Sequence, residues 1–124
     1  MENSLANIIE NIDEIDVPVL INYPKEKKIV SNNKLKSLFD NPEVFNADFW
    51  DKERFYDINN NLLPIQELPF IKAANEGKSI PFFRLKYIDK NSSERFFVIN
   101  SFFIPEKNDD SYVISLFTDA TKEI

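Results

Sequence analysis

Residues that could move a proton gather in one short stretch of this chain: Asp48, Asp51, Glu53 and Asp57, interleaved with Lys52 and Arg54. A carboxylate whose pKa is raised by burial can serve as a general base, as it does in some isomerases. Exposed ion pairs explain the same residues more simply, and fold alone argues for no activity. The chain holds no His and no Cys. That removes imidazole-ligated haem, Cys- or His-ligated zinc, Cys–His nucleophiles and Ser–His–Asp triads. One glycine, Gly77, cannot write a dinucleotide-binding or phosphate-binding loop. Any chemistry would have to rely on carboxylates, Lys, Tyr or Ser.

The elements that must position such groups come from a chain of 124 residues, the size of one domain. Apolar residues make up 43% and aromatics 14%, with twelve Phe, so a core can form. A net charge of −6 offers no basic stripe for a nucleic acid backbone, and no nucleic-acid partner is expected. The densest basic run, KEKK at 25–28, reads as a solvated hairpin turn. No run approaches the ~20 apolar residues of a membrane span, and no signal peptide opens the chain. The absence of Cys fits a reducing compartment, so a cytoplasmic domain is expected.

Ser4 can cap a helix over residues 1–15 whose apolar positions Leu5, Ile8, Ile12 and Ile15 step by three, four and three. That stripe is either a short coiled-coil seam or the face of a helix lying on its own domain. Val17 to Tyr23 reads as a strand, with Lys28–Ser31 as its partner. Asn32 and Asn33 suit a helix start, and Leu35, Leu38 and Phe39 give that helix its buried stripe. Residues 43–62 are irregular, with scattered aromatics. Pro64 suits a first helical turn, and Pro69 kinks or restarts the helix. Gly77 stands where a helix C-terminus needs a left-handed residue. Three strands follow, over 79–88, 95–104 and 112–118. Two strands, then helices, then three strands predict an α+β fold with a five-stranded antiparallel sheet.

Three segments resemble PAS sensory domains. NNNLLPIQELPFIKAANEGKSI is similar to the family's proline-marked helix before the third strand. IVSNNKLKSLFD resembles its Asn-containing strand–helix junction, with Asn32 at the Asn and Asp40 where glycine is usual. ERFFVINSFFIPEKNDDSYVISLFTDAT resembles its closing strand pair, with Asp119, Ala120 and Thr121 at the final triplet. The resemblance spans about residues 5–124 and implies strand order 2-1-5-4-3 with helices on one face.

It also implies a non-catalytic sensory and dimerisation module, the input domain of a sensor kinase or similar regulator. Residues 16–119 would be its core and 120–124 the start of a linker to a C-terminal output domain, with Asp119 and Thr121 at the signal exit. Related domains commonly pair through the N-terminal helix, which points to a homodimer. Strand parity, read with the family pattern, puts Phe83, Leu85, Tyr87, Val98, Asn100, Phe102, Ser115 and Phe117 around a cavity between sheet and helices. Either a small ligand binds there, with Asn100, Tyr87 and Ser115 as polar handles, or Phe side chains fill the space. His-ligated haem and flavin–thiol adducts are excluded by composition, and no resident cofactor is expected; no residue argues for a non-covalent flavin. The alternative class is a small α+β enzyme using one of the four acids as base.

Overall fold

The computed structural model describes residues 11–39, 49–50, 54–89, 91–107 and 110–121. Six strands form one antiparallel sheet: β1 (Val19–Tyr23), β2 (Lys28–Ser31), β3 (Phe55–Tyr56), β4 (Ile80–Ile88), β5 (Glu94–Ile104) and β6 (Tyr112–Asp119). Their order is β2-β1-β6-β5-β4-β3. For the five longer strands this is the order the resemblance implies. The sixth, β3, is two residues long and pairs through Phe55 with Tyr87 and through Tyr56 with Lys86. Nothing in so short a segment alternates, so it carried no strand signal.

Both faces of the sheet are covered at β1, which is why that strand is buried at all five positions. Leu20, Leu85, Tyr87, Phe97, Ile99, Val113 and Phe117 face one core layer, shared with the helices α1 (Asn33–Phe39) and α2 (Pro69–Glu76). Val19, Ile21, Tyr23 and Tyr112 face the other, where Ile12 is buried against them. Two strand-linking turns share one device. The Asp57 carboxylate accepts the N–H groups of Asn59 and Asn61, and the Asp89 carboxylate those of Asn91 and Ser93. Each is an aspartate folding the next residues onto itself, as short Asx turns do.

Asn32 starts α1. Its Oδ1 accepts the N–H of Leu35 at 3.0 Å, the expected capping bond, and also the N–H of Val19 at 3.1 Å. Its Nδ2 donates to the carbonyls of Ile15 and Val17 at 3.2 and 2.7 Å. One buried amide thus joins the first helix, the first strand and the segment that leads into the sheet. Pro69 restarts the helix, as a residue that needs no N–H partner at the first position: a 3-10 turn over Ile65–Glu67 ends at Leu68, and α2 begins at Pro69. Gly77 ends it at φ 67°, ψ 35°, donating to the Ala73 carbonyl. The lone glycine is a left-handed helix stop.

The expected helix over 1–15 does not continue through its last residues. Ile12–Glu14 form a single 3-10 turn and Ile15 is extended. Pro18 disfavours helical backbone at Val17, and Asn32 holds the Ile15 and Val17 carbonyls in an extended run. Leu5 and Ile8 lie outside the described residues. Among the described residues, no helix is long and apolar enough to cross a membrane.

Candidate functional site

The sheet–helix space where a ligand was expected is built from rings. Phe39 on α1 packs against Phe49, Trp50, Tyr87, Phe97 and Phe117, with ring centroids 4.7 to 6.0 Å apart. Trp50 stacks on Phe55 at 5.3 Å and meets Phe70 edge-on at 4.9 Å. Edge-to-face and offset contacts at these distances are the favoured aromatic geometries, so this is a packed core.

Of the eight pocket candidates, Phe83, Leu85, Tyr87, Ser115 and Phe117 are on this inner side. Val98, Asn100 and Phe102 are on the opposite face, a correction to the parity reading. The register decides it. Leu85 pairs directly with Phe97, and Phe83 with Ile99, so the inward residues of β5 are Phe97, Ile99, Ser101 and Phe103. After Glu94 and Arg95, strand β5 is apolar on both faces, and the two polar residues within that run, Asn100 and Ser101, are adjacent, so its sequence alone gives no parity. The polar handles do not converge either. Ser115 is hydrogen-bonded to Ser101 at 2.6 Å, Tyr87 stacks on Phe55, and Asn100 accepts the Phe82 N–H on the outer side.

An open cavity lies instead at the β1–β2 end of the same sheet–helix boundary. Its volume is about 230 Å³, and it is lined by Asn22, Pro24, Lys27, Ile29, Ile65, Ile71, Ala74 and Asn75. Asn22 and Ile29 sit opposite each other across β1 and β2. The residues from α2 belong to the face left over once Phe70 and Ala73 have entered the core. The Asn22 side chain donates from Nδ2 to the Phe70 carbonyl at 3.0 Å, tying the strand to the helix at the cavity wall. Sequence reasoning missed this site. Its available signal was Asn22 itself, the one polar side chain inside the apolar run VLIN.

At the end of β6, the Asp119 carboxylate accepts the Thr121 N–H at 2.9 Å and lies 3.6 Å from the Arg95 guanidinium. Burial opposes ionisation of Asp119, but the Thr121 hydrogen bonds and Arg95 outweigh it and hold its pKa below the usual carboxylate value. Thr121 Oγ1 accepts the Phe96 N–H, and Ala120 N–H reaches the Phe96 carbonyl. Arg95 also donates to the Leu38 carbonyl in α1. The predicted exit residues are therefore latched to β5 and, through Arg95, to the first helix.

Of the candidate acids, Asp48, Asp51 and Glu53 lie outside the described residues. Asp57 is committed to its own turn: the Asn61 backbone and side-chain hydrogen bonds lower its pKa. That is the wrong direction for a general base near neutral pH. Ile12 and Ile15, two of the dimer-helix candidates, pack on the outer face of their own sheet.

No family model matches the chain, and no curated protein matches it. Solved structures do. The Rhodobacter sphaeroides LOV protein superposes with a TM-score of 0.67 over 96% of this chain and 68% of that one, at 14% identity. A PAS domain from a two-component sensor histidine kinase gives 0.59 over 95% and 97%, at 7% identity. The PAS domain of an HTR-like protein from Haloarcula marismortui gives 0.59 over 95% and 93%, at 10% identity. The chain therefore has the PAS-domain fold, shared with LOV domains. Phe39 and Trp50 meet edge-on at 5.5 Å in the space between sheet and helices, and the chain has no thiol to form a flavin adduct.

Proposed function

We propose that the chain is a non-catalytic sensory and dimerisation module, the input domain of a sensor kinase or similar multidomain regulator. The observation that carries this reading is the PAS fold, matched over nearly the whole chain by sensor domains such as that of the two-component histidine kinase. Input acts at the boundary between sheet and helices, and the cavity at the β1–β2 end is its place of entry. Output leaves through Asp119 and Thr121, whose contacts with Arg95 and Phe96 couple the end of the sheet to α1. Haem–imidazole and flavin–thiol chemistry have no part in it, since the residues they need are missing from the chain.

A second copy completes the module. The N-terminal segment enters over the outer face of the sheet, where Ile12 and Ile15 bury, and Phe102 stays exposed on that face. Native mass spectrometry and sedimentation across a concentration series test the pairing. A dimer that Ile8→Glu together with Phe102→Glu dissociates is the expected result, since charge in a desolvated seam is unfavourable. Ile12 is left intact because it is buried in its own domain. A chain that stays monomeric at high micromolar concentration overturns the dimer.

A further inference from the structure

The cavity between the β1–β2 hairpin and α2 has a composition that selects a ligand class. Its volume of about 230 Å³ exceeds the ~150 Å³ apolar cavity that takes benzene, and falls below the ~300 Å³ at which drug-sized sites begin. One or two rings fit. Ile29, Ile65, Ile71, Ala74 and Pro24 make the walls apolar.

The polar groups differ in kind. Asn22 is 5% exposed, and its Nδ2 is fixed on the Phe70 carbonyl. That bond also fixes the flip of the amide and leaves Oδ1 as an acceptor with no protein donor among the described residues. An acceptor in the wall of an open cavity, without a protein donor, can take one from a ligand. Lys27 stands in the hairpin turn at φ 52°, a left-handed conformation unusual for a lysine. It lines the cavity and makes no ion pair among the described residues, whereas its neighbour Lys25 is held by Asp110 at 3.1 Å. Among the described residues, no acid lines the cavity.

We infer that this cavity binds a small aryl monocarboxylate that carries an N–H or O–H donor. The rings lie among the isoleucines, the donor meets Asn22 Oδ1 and the carboxylate meets Lys27. A cation would face Lys27 with no countercharge, and a sugar would leave most of its hydroxyls against apolar walls. The inference rests on the reading of this cavity as the input site, and its binding test is independent of any signal.

Indole-3-acetate is the probe, titrated into the isotope-labelled chain and followed by amide chemical shifts. Saturable shifts centred on Asn22, Ile29, Ala74 and Asn75 are expected. Indole-3-acetamide, which lacks the charge, should bind about fivefold more weakly, the scale of a solvent-exposed ion pair. Lys27→Ala should bring the two probes to equal affinity. Naphthalene-1-acetate, which lacks the ring N–H, should also bind more weakly than indole-3-acetate. Ala74→Leu fills the cavity with a good helix former and should abolish binding while leaving the circular dichroism spectrum unchanged. Absence of shifts at millimolar indole-3-acetate, shifts centred elsewhere, or Lys27→Ala retaining the carboxylate preference would each overturn the inference. Binding as described, with neither sedimentation nor amide exchange of the chain ends responding, upholds the ligand class and counts against the sensory role instead.

Discussion

Removing the Asn32 side chain tests the local account of how this fold is tied together. In Asn32→Ala, the N–H groups of Val19 and Leu35 lose their acceptor in a buried setting. An unpaired buried donor costs about 1–3 kcal/mol. Loss of the helix cap alone is typically about 1 kcal/mol, which is the Leu35 share. The Ile15 and Val17 carbonyls also lose their donor, but those bonds are only partly buried, and water can replace it. The sum is about 3 kcal/mol. For a domain of this size that lowers the thermal midpoint by roughly 10 °C. With a urea slope of about 2 kcal/mol/M, the urea midpoint falls by about 1.5 M.

Two further variants divide the effect. Asn32→Ser keeps an acceptor for the Leu35 N–H and should recover about 1 kcal/mol. Asn32→Asp keeps both N–H bonds but turns a second oxygen toward two carbonyls, and should remain destabilised. Far-ultraviolet circular dichroism of all four forms is the assay. If Asn32→Ala melts within about 3 °C of the parent chain, or if the Ser and Ala variants melt together, the amide does not hold these elements as described.

Other perturbations read other parts of the structure. Gly77→Val should cost about 1–2 kcal/mol from backbone strain alone, since a Cβ there meets only Phe103 at an ordinary 3.9 Å; an unchanged melting temperature would refute the left-handed cap. Tyr23→Phe should be neutral or stabilising by up to about 1 kcal/mol, because the buried hydroxyl has no partner among the described residues. Burial, with help from Tyr112 and Glu26, raises the Tyr23 pKa, so its neutral form favours the fold and that stability is lost as pH rises above the unfolded value near 10. The variant should therefore lose less stability above that pH, and alkaline melts check it. Asp119 has the opposite sign: its lowered pKa adds stability above the unfolded carboxyl value near 3.9, lost as pH falls through the folded one. Asp119→Asn should melt below the parent at pH 7 and converge with it in acid; parallel curves at every pH would remove Arg95 and Thr121 as the cause.

The sequence was legible where one residue determines one local event. Gly77 at the end of α2, Pro69 at its start and Asn32 before α1 each have a conformational or hydrogen-bonding property that their position requires. Strand order was legible only through the family resemblance, because pairing depends on register between distant segments. The helix expected through Ile15 failed for a tertiary reason: Asn32, seventeen residues away, claims the carbonyl that a helix would have used. The candidate site was the least legible part. A cavity is defined by what packing leaves over, and Ile71, Ala74 and Asn75 line it only because Phe70 and Ala73 turn into the core.

The exposed rings of the outer face have their origin in β4. Ile80 pairs with Ser101 and Phe83 with Ile99, so three steps along β4 meet two along β5. The extra residue is a bulge at Pro81 and Phe82, and it lets Ile80 and Phe83 both pack on the inner core. Pro81 has no N–H to lose there. Phe82 takes φ 52°, a strained value for a bulky residue, and its N–H is received by Asn100 Oδ1 at 2.9 Å. Asn100, expected as a handle inside a pocket, is thus the anchor of a bulge on the other side of the sheet. The result is Phe82 75% exposed and Phe102 44% exposed near the β4–β5 end, while Ile12 and Ile15 cover the β1 end of the same face. A sheet face covered at its β1 end and carrying the exposed rings of Phe82 and Phe102 at its other end has apolar surface for a second copy to bury, which is the physical case for the proposed dimer.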